Sequence, residues 1–278
     1  MRDECAMWMN GTGATFRDGH TKSANDGGFT SQGRQDRAVY ETLFKSLRGP
    51  QGVYVDLASN HYKRISNTYF FDKCLGWRGV CFEPNPIYHR DIQKHRSCNL
   101  VKTCVSDSTA RQLMILPKDQ WMGGLGGIGG GKLADYRSSR NLLTQQKRRT
   151  MQINMSCVLL GAELAKHSIR HVDFMSLDVE GHEAKVLRSV DLKNVRINHI
   201  LCEDGCEMLT KLGYKKHVPK IMGHTGDIIY SHPAALEMLT SQPGGLESCV
   251  FPRKWKDTKA TRGRVSYSSY ATGSMVCS

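Results

Sequence analysis

The 278-residue sequence contains no apolar run near the roughly 18 residues that a membrane span requires. Met1 to Gly33 is polar and glycine-rich and lacks the apolar centre of a signal peptide. No Cys-x-x-Cys occurs, which removes the commonest spacing of a structural zinc site. No His/Asp cluster has metal-ligand spacing either, so no metal is expected. Negative charge is also scarce. Against 39 basic residues stand 26 acidic ones, a formal charge of +13. That balance suits nucleic acid, acidic glycans or anionic surfaces, or a soluble enzyme that is simply basic. The charge gathers at Arg137, Arg140, Lys147, Arg148 and Arg149, and again at Arg253, Lys254, Lys256, Lys259, Arg262 and Arg264. Neither stretch has the repeated interleaved aromatics of a base-stacking platform (the second holds Trp255 alone), so backbone or glycan contact fits better than sequence readout.

What is present is ordinary globular material, 39% hydrophobic and 23% charged, enough for one large α/β domain. Ten cysteines fit disulfides in a secretory compartment or buried free thiols, and compartment stays open between cytoplasm and secretory lumen. Asn10-Gly11-Thr12 and Asn154-Met155-Ser156 match the glycosylation acceptor pattern.

Residues 1–33 read as a flexible leader, because glycine and small polar residues dominate. Val39, Leu43 and Leu47 recur at four-residue steps and predict a helix. Short β-branched and aromatic runs predict buried strands at 52–57, 79–83, 100–105, 172–179 and 197–202, with helices at 66–75, 86–95, 159–167, 183–190 and 207–212 between and after them. Strands alternating with helices imply a parallel, doubly wound α/β sheet with helices on both faces. Residues 117–150, including the run Met122 to Lys132 with seven glycines, read as a mobile insertion with a basic end. Residues 34–235 form the expected domain, and 236–278 a basic tail.

Three of these strands end on acids: Asp56, Glu83 and Asp178. Ligands of open α/β sheets sit at the carboxyl ends of the strands. Acids there suit ribose hydroxyls and a cationic centre, since a carboxylate accepts two hydrogen bonds from a diol and attracts a sulfonium. Glu83 lies 27 residues after Asp56, comparable with the roughly 20-residue separation used by nucleotide-binding sheets. NAD-binding folds share this device. They require a glycine-rich first turn, however, which Ala58-Ser59-Asn60-His61-Tyr62 does not supply. Gly124, Gly126 and Gly129 satisfy Gly-x-Gly-x-x-Gly but open no helix, and so read as loop.

Four segments taken together resemble the FkbM-type methyltransferases, closest to their eukaryotic branch. They are Val53 to His61 (VYVDLASNH), Ile65 to Phe71 (ISNTYFF), Gly76 to Pro86 (GWRGVCFEPNP) and Asp173 to Glu183 (DFMSLDVEGHE). Ser31 to Arg37 upstream, and Leu212 to Tyr214 and Gly226 to Tyr230 downstream, extend the resemblance over most of the chain. It implies a Rossmann-like class I methyltransferase fold, with S-adenosylmethionine (SAM) as methyl donor and a hydroxyl oxygen as acceptor. By position, Asp56, Ala58 and Asn60 match the first SAM turn, and Glu83 matches the ribose-binding acid, flanked by Pro84 and Asn85. Ser106 and Asp107 fall where adenine is held. Asp178 and Glu180 match an Asp-x-Glu-Gly motif at the cleft. Ala58 and Tyr62 stand where the family commonly has glycine.

Methyl transfer to oxygen needs the acceptor held in line and a base for its proton. Asp178, Glu180, His182 and His61 are the candidates. Glu180 has an alternative role in anchoring its turn, and His182 one in capping a helix. A sugar or glycan, a small metabolite and RNA all remain as acceptors, and a non-catalytic methyltransferase-like module holding an anionic polymer is the competing reading.

Overall fold

The computed structural model describes residues 28–45, 52–118, 127–128, 150–219, 221–222 and 226–240, with the backbone alone of 249–250 and 276–277. Both basic clusters, most of the glycine-rich run and most of the expected leader and tail lie outside the described residues.

The first half of the chain supplies α1 (Gln35–Val39), which continues as a π-helical turn over Tyr40–Phe44, then β1 (Val53–Leu57), α2 (Tyr69–Lys73), β2 (Arg78–Phe82), α3 (Pro86–His95) and β3 (Asn99–Val101). An excursion follows, made of β4 (Arg111–Pro117), β5 (Gly127–Ile128) and β6 (Thr150–Ser156). The second half supplies α4 (Leu160–Lys166), β7 (His171–Leu177), α5 (Glu183–Arg188), β8 (Arg196–Cys202), α6 (Met208–Lys211), β9 (Lys215–His217), β10 (Ile228–Ser231) and α7 (Pro233–Thr240). No helix of the described residues is long and apolar enough to cross a membrane.

Seven strands form one sheet in the order β3-β2-β1-β7-β8-β10-β9. The first five are mutually parallel, and β10 runs antiparallel to both β8 and β9. The parallel strands are apolar on both faces because both are covered. Val55, Val80, Met175 and Ile200 face a cluster with Leu160, Leu164, Val186, Leu187 and Leu209 from α4, α5 and α6. Their neighbours Tyr54, Cys81, Phe174 and Leu201 face the opposite cluster, with Val39, Leu43, Phe71, Leu236 and Leu239 from α1, α2 and α7. This alternation is the period of two expected of strands, so the fold is a Rossmann-like α/β sandwich with helices on both sides.

Three expectations shift. Gly127 and Ile128, inside the glycine-rich run, pair with Ile115 and Met114 as an antiparallel strand instead of looping freely, and β6 pairs along all of β4. Residues 28–31 are packed: Phe29 is buried with its ring 4.2 Å from that of Phe70, and the Ser31 hydroxyl bonds to Asp36 at 2.5 Å. At the other end α7 runs across the expected boundary at 235 and buries Leu236 and Leu239 in the core.

The cysteine question resolves toward disulfides. Cys81–Cys98 ties β2 to the entry of β3, Cys104–Cys157 ties the exit of β3 to the end of β6, and Cys202–Cys206 closes the loop after β8. No cysteine among the described residues is free. Closing the loop between Cys104 and Cys157, 53 residues apart in sequence, stabilises by about 4 kcal/mol in the chain-entropy picture.

Candidate active site at the switch point

The chain enters the sheet at β1, moves outward to β2 and β3, and then returns to the other side of β1 as β7. That reversal opens a crevice beyond the carboxyl ends of β1 and β7, where open α/β sheets take their ligands. Backbone strain gathers here. Of six non-glycine residues with positive φ among those described, Ala58 (57°), Asn60 (56°) and Ile65 (55°) lie in the loop after β1, and Glu180 (58°) in the turn after β7. Such conformations cost about 1–3 kcal/mol each and persist where surrounding structure imposes them.

The imposing structure is a buried polar network beneath the first loop. Arg96, at the C-cap of α3, has a fully buried side chain. Its guanidinium donates to Asp72 (2.5 Å), Thr68 Oγ1 (2.6 Å), Tyr54 Oη (3.1 Å), Ser66 Oγ (3.2 Å) and the Tyr62 carbonyl (3.4 Å). Asp56 joins this network: its Oδ2 accepts from Thr68 Oγ1 at 2.6 Å and lies 3.6 Å from Arg96 Nη1. The carboxylate of Asp56 thus fastens the loop from below. Gly79 makes the arrangement possible, since a Cβ there would sit 2.2 Å from the Tyr54 ring.

Glu83 is also buried, 3% exposed. Its Oε2 accepts the Asn60 N–H and its Oε1 the Asn85 N–H, each at 2.6 Å. Burial pushes its carboxyl up to about 7, while the two backbone bonds pull the other way. Each oxygen takes one donor and keeps acceptor capacity for a second. Pro84 is half-buried beside it. Asn85 caps α3, with Oδ1 accepting the Ile87 N–H and Nδ2 donating to the Pro117 carbonyl. Tyr62, which stands at a family glycine position, stacks between His61 and His95 at ring separations of 4.6 and 4.4 Å.

On the other side of the switch point three carboxylates converge. One oxygen each from Asp178, Glu180 and Glu203 lies within 4.8 Å of the others. Asp178 is hydrogen-bonded to Glu203, and its carboxyl is raised well above the ordinary range by burial first and then by the Glu203 charge. Burial and the neighbouring negative charge both favour the protonated form of Asp178. Asp227 adds charge nearby and accepts from Gln35 Nε2 at 2.7 Å. The turn after Asp178 is anchored by Glu183, whose Oε1 accepts the Val179 and Gly181 N–H groups.

The remaining candidates separate from this cluster. The His182 ring bonds to Ser106 Oγ at 2.9 Å, deep between α5 and the segment after β3. Asp107 is paired with Arg188 at 2.9 Å. His61 accepts the Lys63 and Arg64 N–H groups on Nδ1, so the proton of the neutral ring sits on Nε2. His61 therefore shapes the loop, and His182 packs against Ser106.

The Methyltransferase FkbM domain matches residues 56–227, well over half of the chain, and it begins and ends on acids of this site. The chain belongs to the FkbM methyltransferase family. No curated protein and no solved structure matches it.

In this FkbM methyltransferase, sequence reasoning missed Glu203, Arg96, Asp227 and Gln35. Glu203 carried the same signal as the three acids that were found, a carboxylate directly after a buried strand (Ile197 to Cys202). Gln35 lies in the upstream motif Ser31 to Arg37, whose tie to Asp227 spans 192 residues. Arg96 follows a helix and has no local mark. The absence of ligand spacing in the sequence also hid the carboxylate cluster, because Asp178 and Glu203 come from the ends of two neighbouring strands.

Proposed function

We propose that this methyltransferase uses SAM and methylates a hydroxyl oxygen, on a glycan or a small metabolite. The observation that carries the proposal is the division of acids across the switch point. Glu83 lies on the β2 side, with acceptor capacity for a vicinal diol, and the carboxyl pair Asp178 and Glu203 lies on the β7–β8 side. The residues fit the cofactor. Beside Ser176, whose hydroxyl accepts from Asn67 Nδ2 at 3.1 Å, the Asn67 Oδ1 atom is buried without a hydrogen-bond partner among the described residues, which leaves one more acceptor for a polar ligand in the crevice.

When bound, SAM supplies an electrophilic methyl group on a sulfonium. Glu83 would hold the ribose hydroxyls, with the strained Ala58 to Asn60 turn against the nucleoside. Ser106 and Asp107 would border the adenine. Asp178, at the end of β7, would orient the acceptor hydroxyl and take its proton, with Glu203 as the partner that keeps Asp178 basic enough to do so. Glu180 adds negative charge that favours the cationic centre.

The described disulfides favour an acceptor met in an oxidising compartment, so a glycan or other lumenal hydroxyl is preferred over RNA. Two measurements test the reading. SAM, and not NAD, raises the melting temperature of the purified protein. A labelled-methyl assay across glycan, small-molecule and RNA pools then incorporates label into a hydroxyl of the first or second. Label in RNA alone, or a shift with NAD alone, overturns it.

A further inference from the structure

β6 is the outer strand of the three-stranded sheet ordered β5-β4-β6. Its residues alternate in environment. Met151, Ile153 and Met155 pack against the cluster of Cys104, Met114, Leu116 and Cys157, whereas Gln152, Asn154 and Ser156 are exposed. The period of two therefore turns Asn154 away from the cluster, and its cross-strand partner Leu113 is itself 41% exposed. Asn154-Met155-Ser156 is an Asn-x-Ser acceptor with a residue other than proline in the middle. Cys157 follows directly and is disulfide-bonded to Cys104. The endoplasmic reticulum lumen, one compartment where such disulfides form, is also where asparagine glycosylation takes place.

We propose that Asn154 carries an N-linked glycan. The donor class is a lipid-linked oligosaccharide diphosphate. The Asn154 amide nitrogen forms a bond to the anomeric carbon, the bond from that carbon to the diphosphate oxygen breaks, and the lipid diphosphate leaves as the amide releases one proton. Nothing is oxidised or reduced. On an outer strand, a bulky hydrophilic chain at this position also blocks edge-to-edge pairing with a second β6.

The test uses the full chain behind a cleavable secretory signal in eukaryotic cells, with Asn10→Gln so that Asn154 holds the one remaining acceptor pattern. Total lumenal protein is collected, so that failed secretion does not hide the outcome. Its intact mass is measured before and after treatment with a peptide N-glycosidase. The expected result is a loss of one glycan mass on treatment, mapped to the peptide containing Asn154. That loss is absent in Asn154→Gln and also in Ser156→Ala, which keeps the asparagine. Thiol blocking without reductant reports disulfide formation in each sample. An enzyme-insensitive mass in protein whose described cysteines are oxidised overturns the proposal, as does a glycan that persists in Ser156→Ala. Neither result bears on methyl transfer, because Asn154 lies outside the switch-point site.

Discussion

Glu83 Oε2 accepts the backbone N–H of Asn60 at 2.6 Å, joining the end of β2 to the strained loop after β1. The bond makes this carboxylate a brace for the loop, and under the proposed function the same group would accept the ribose hydroxyls. Replacing Glu83 with Ala is expected to abolish measurable SAM binding by calorimetry while the melting transition survives. Because burial holds the Glu83 carboxyl near 7, SAM affinity is also expected to fall as pH drops through about 7, since the ionised form is the better acceptor. An affinity flat from pH 6 to 8 removes Glu83 from the role.

Asp178 and Glu203 form the second relationship with a kinetic consequence. Asp178→Asn is expected to lower kcat by on the order of 100-fold or more, with SAM affinity nearly unchanged, because a general base contributes on that scale. Glu203→Gln removes the charge that raises Asp178. The ascending limb of the kcat profile is then expected to move to lower pH. A limb in the same place in both proteins assigns the titration elsewhere.

Arg96 is expected to matter for stability and loop order more than for chemistry. Arg96→Met leaves Asp56 and Asp72 buried without their cation, a loss of about 3–5 kcal/mol. The urea midpoint should fall accordingly. SAM affinity should fall with it, since the Tyr62 carbonyl and Thr68 lose their donor. A midpoint within error of the parent rules out the keystone role.

Ala58 sits at φ 57°, in the left-handed region that glycine occupies without a Cβ penalty. Ala58→Gly is expected to stabilise the protein by about 1 kcal/mol in urea unfolding. A lower midpoint indicates that glycine's backbone entropy outweighs the strain.

The Ser231 hydroxyl lies between two buried histidines, 2.8 Å from His199 Nδ1 and 2.7 Å from His217 Nε2. Burial pushes His199 down to about 3 and His217 to about 4. Both therefore stay neutral in the folded state after the unfolded chain has begun to protonate them near 6.5. The unfolded state then binds more protons, so stability is complete above pH 6.5 and is lost as pH falls toward 4, by about 1.4 kcal/mol per unit for each histidine. Urea midpoints between pH 7 and 4.5 check this. A flat series shows that the pair is not neutral in the fold.

Local pattern was enough for much of the fold. The runs at Val53–Leu57, His171–Leu177 and Arg196–Cys202 carry apolar residues on both faces because the sheet buries both. Pro86 marked the start of α3 because its fixed φ suits a helix N-terminus, whereas the capping role of Asn85 came from the structure. β3 came out shorter than expected, with Val105 left as an isolated bridge to Val158, because the chain leaves the sheet edge there to build β4–β6. β10 gave the same apolar signal as a parallel strand, and only its pairing with β8 made it antiparallel.

By itself, then, the sequence determined the α/β class, the methyltransferase family and, of the four acids at the ends of buried strands, Asp56, Glu83 and Asp178, since each is written in neighbouring residues. Tertiary structure alone decided the rest. It paired Asp178 with Glu203 across adjacent strands, gave Asp56 to the Arg96 network beneath the loop, drew His61 and His182 away from the carboxylate cluster, and turned Tyr62 aside to stack on His95. Apart from His61, which is held by the neighbouring Lys63 and Arg64 N–H groups, those outcomes depend on burial and on partners 20 or more residues distant, and no local pattern encodes which buried charge will meet which.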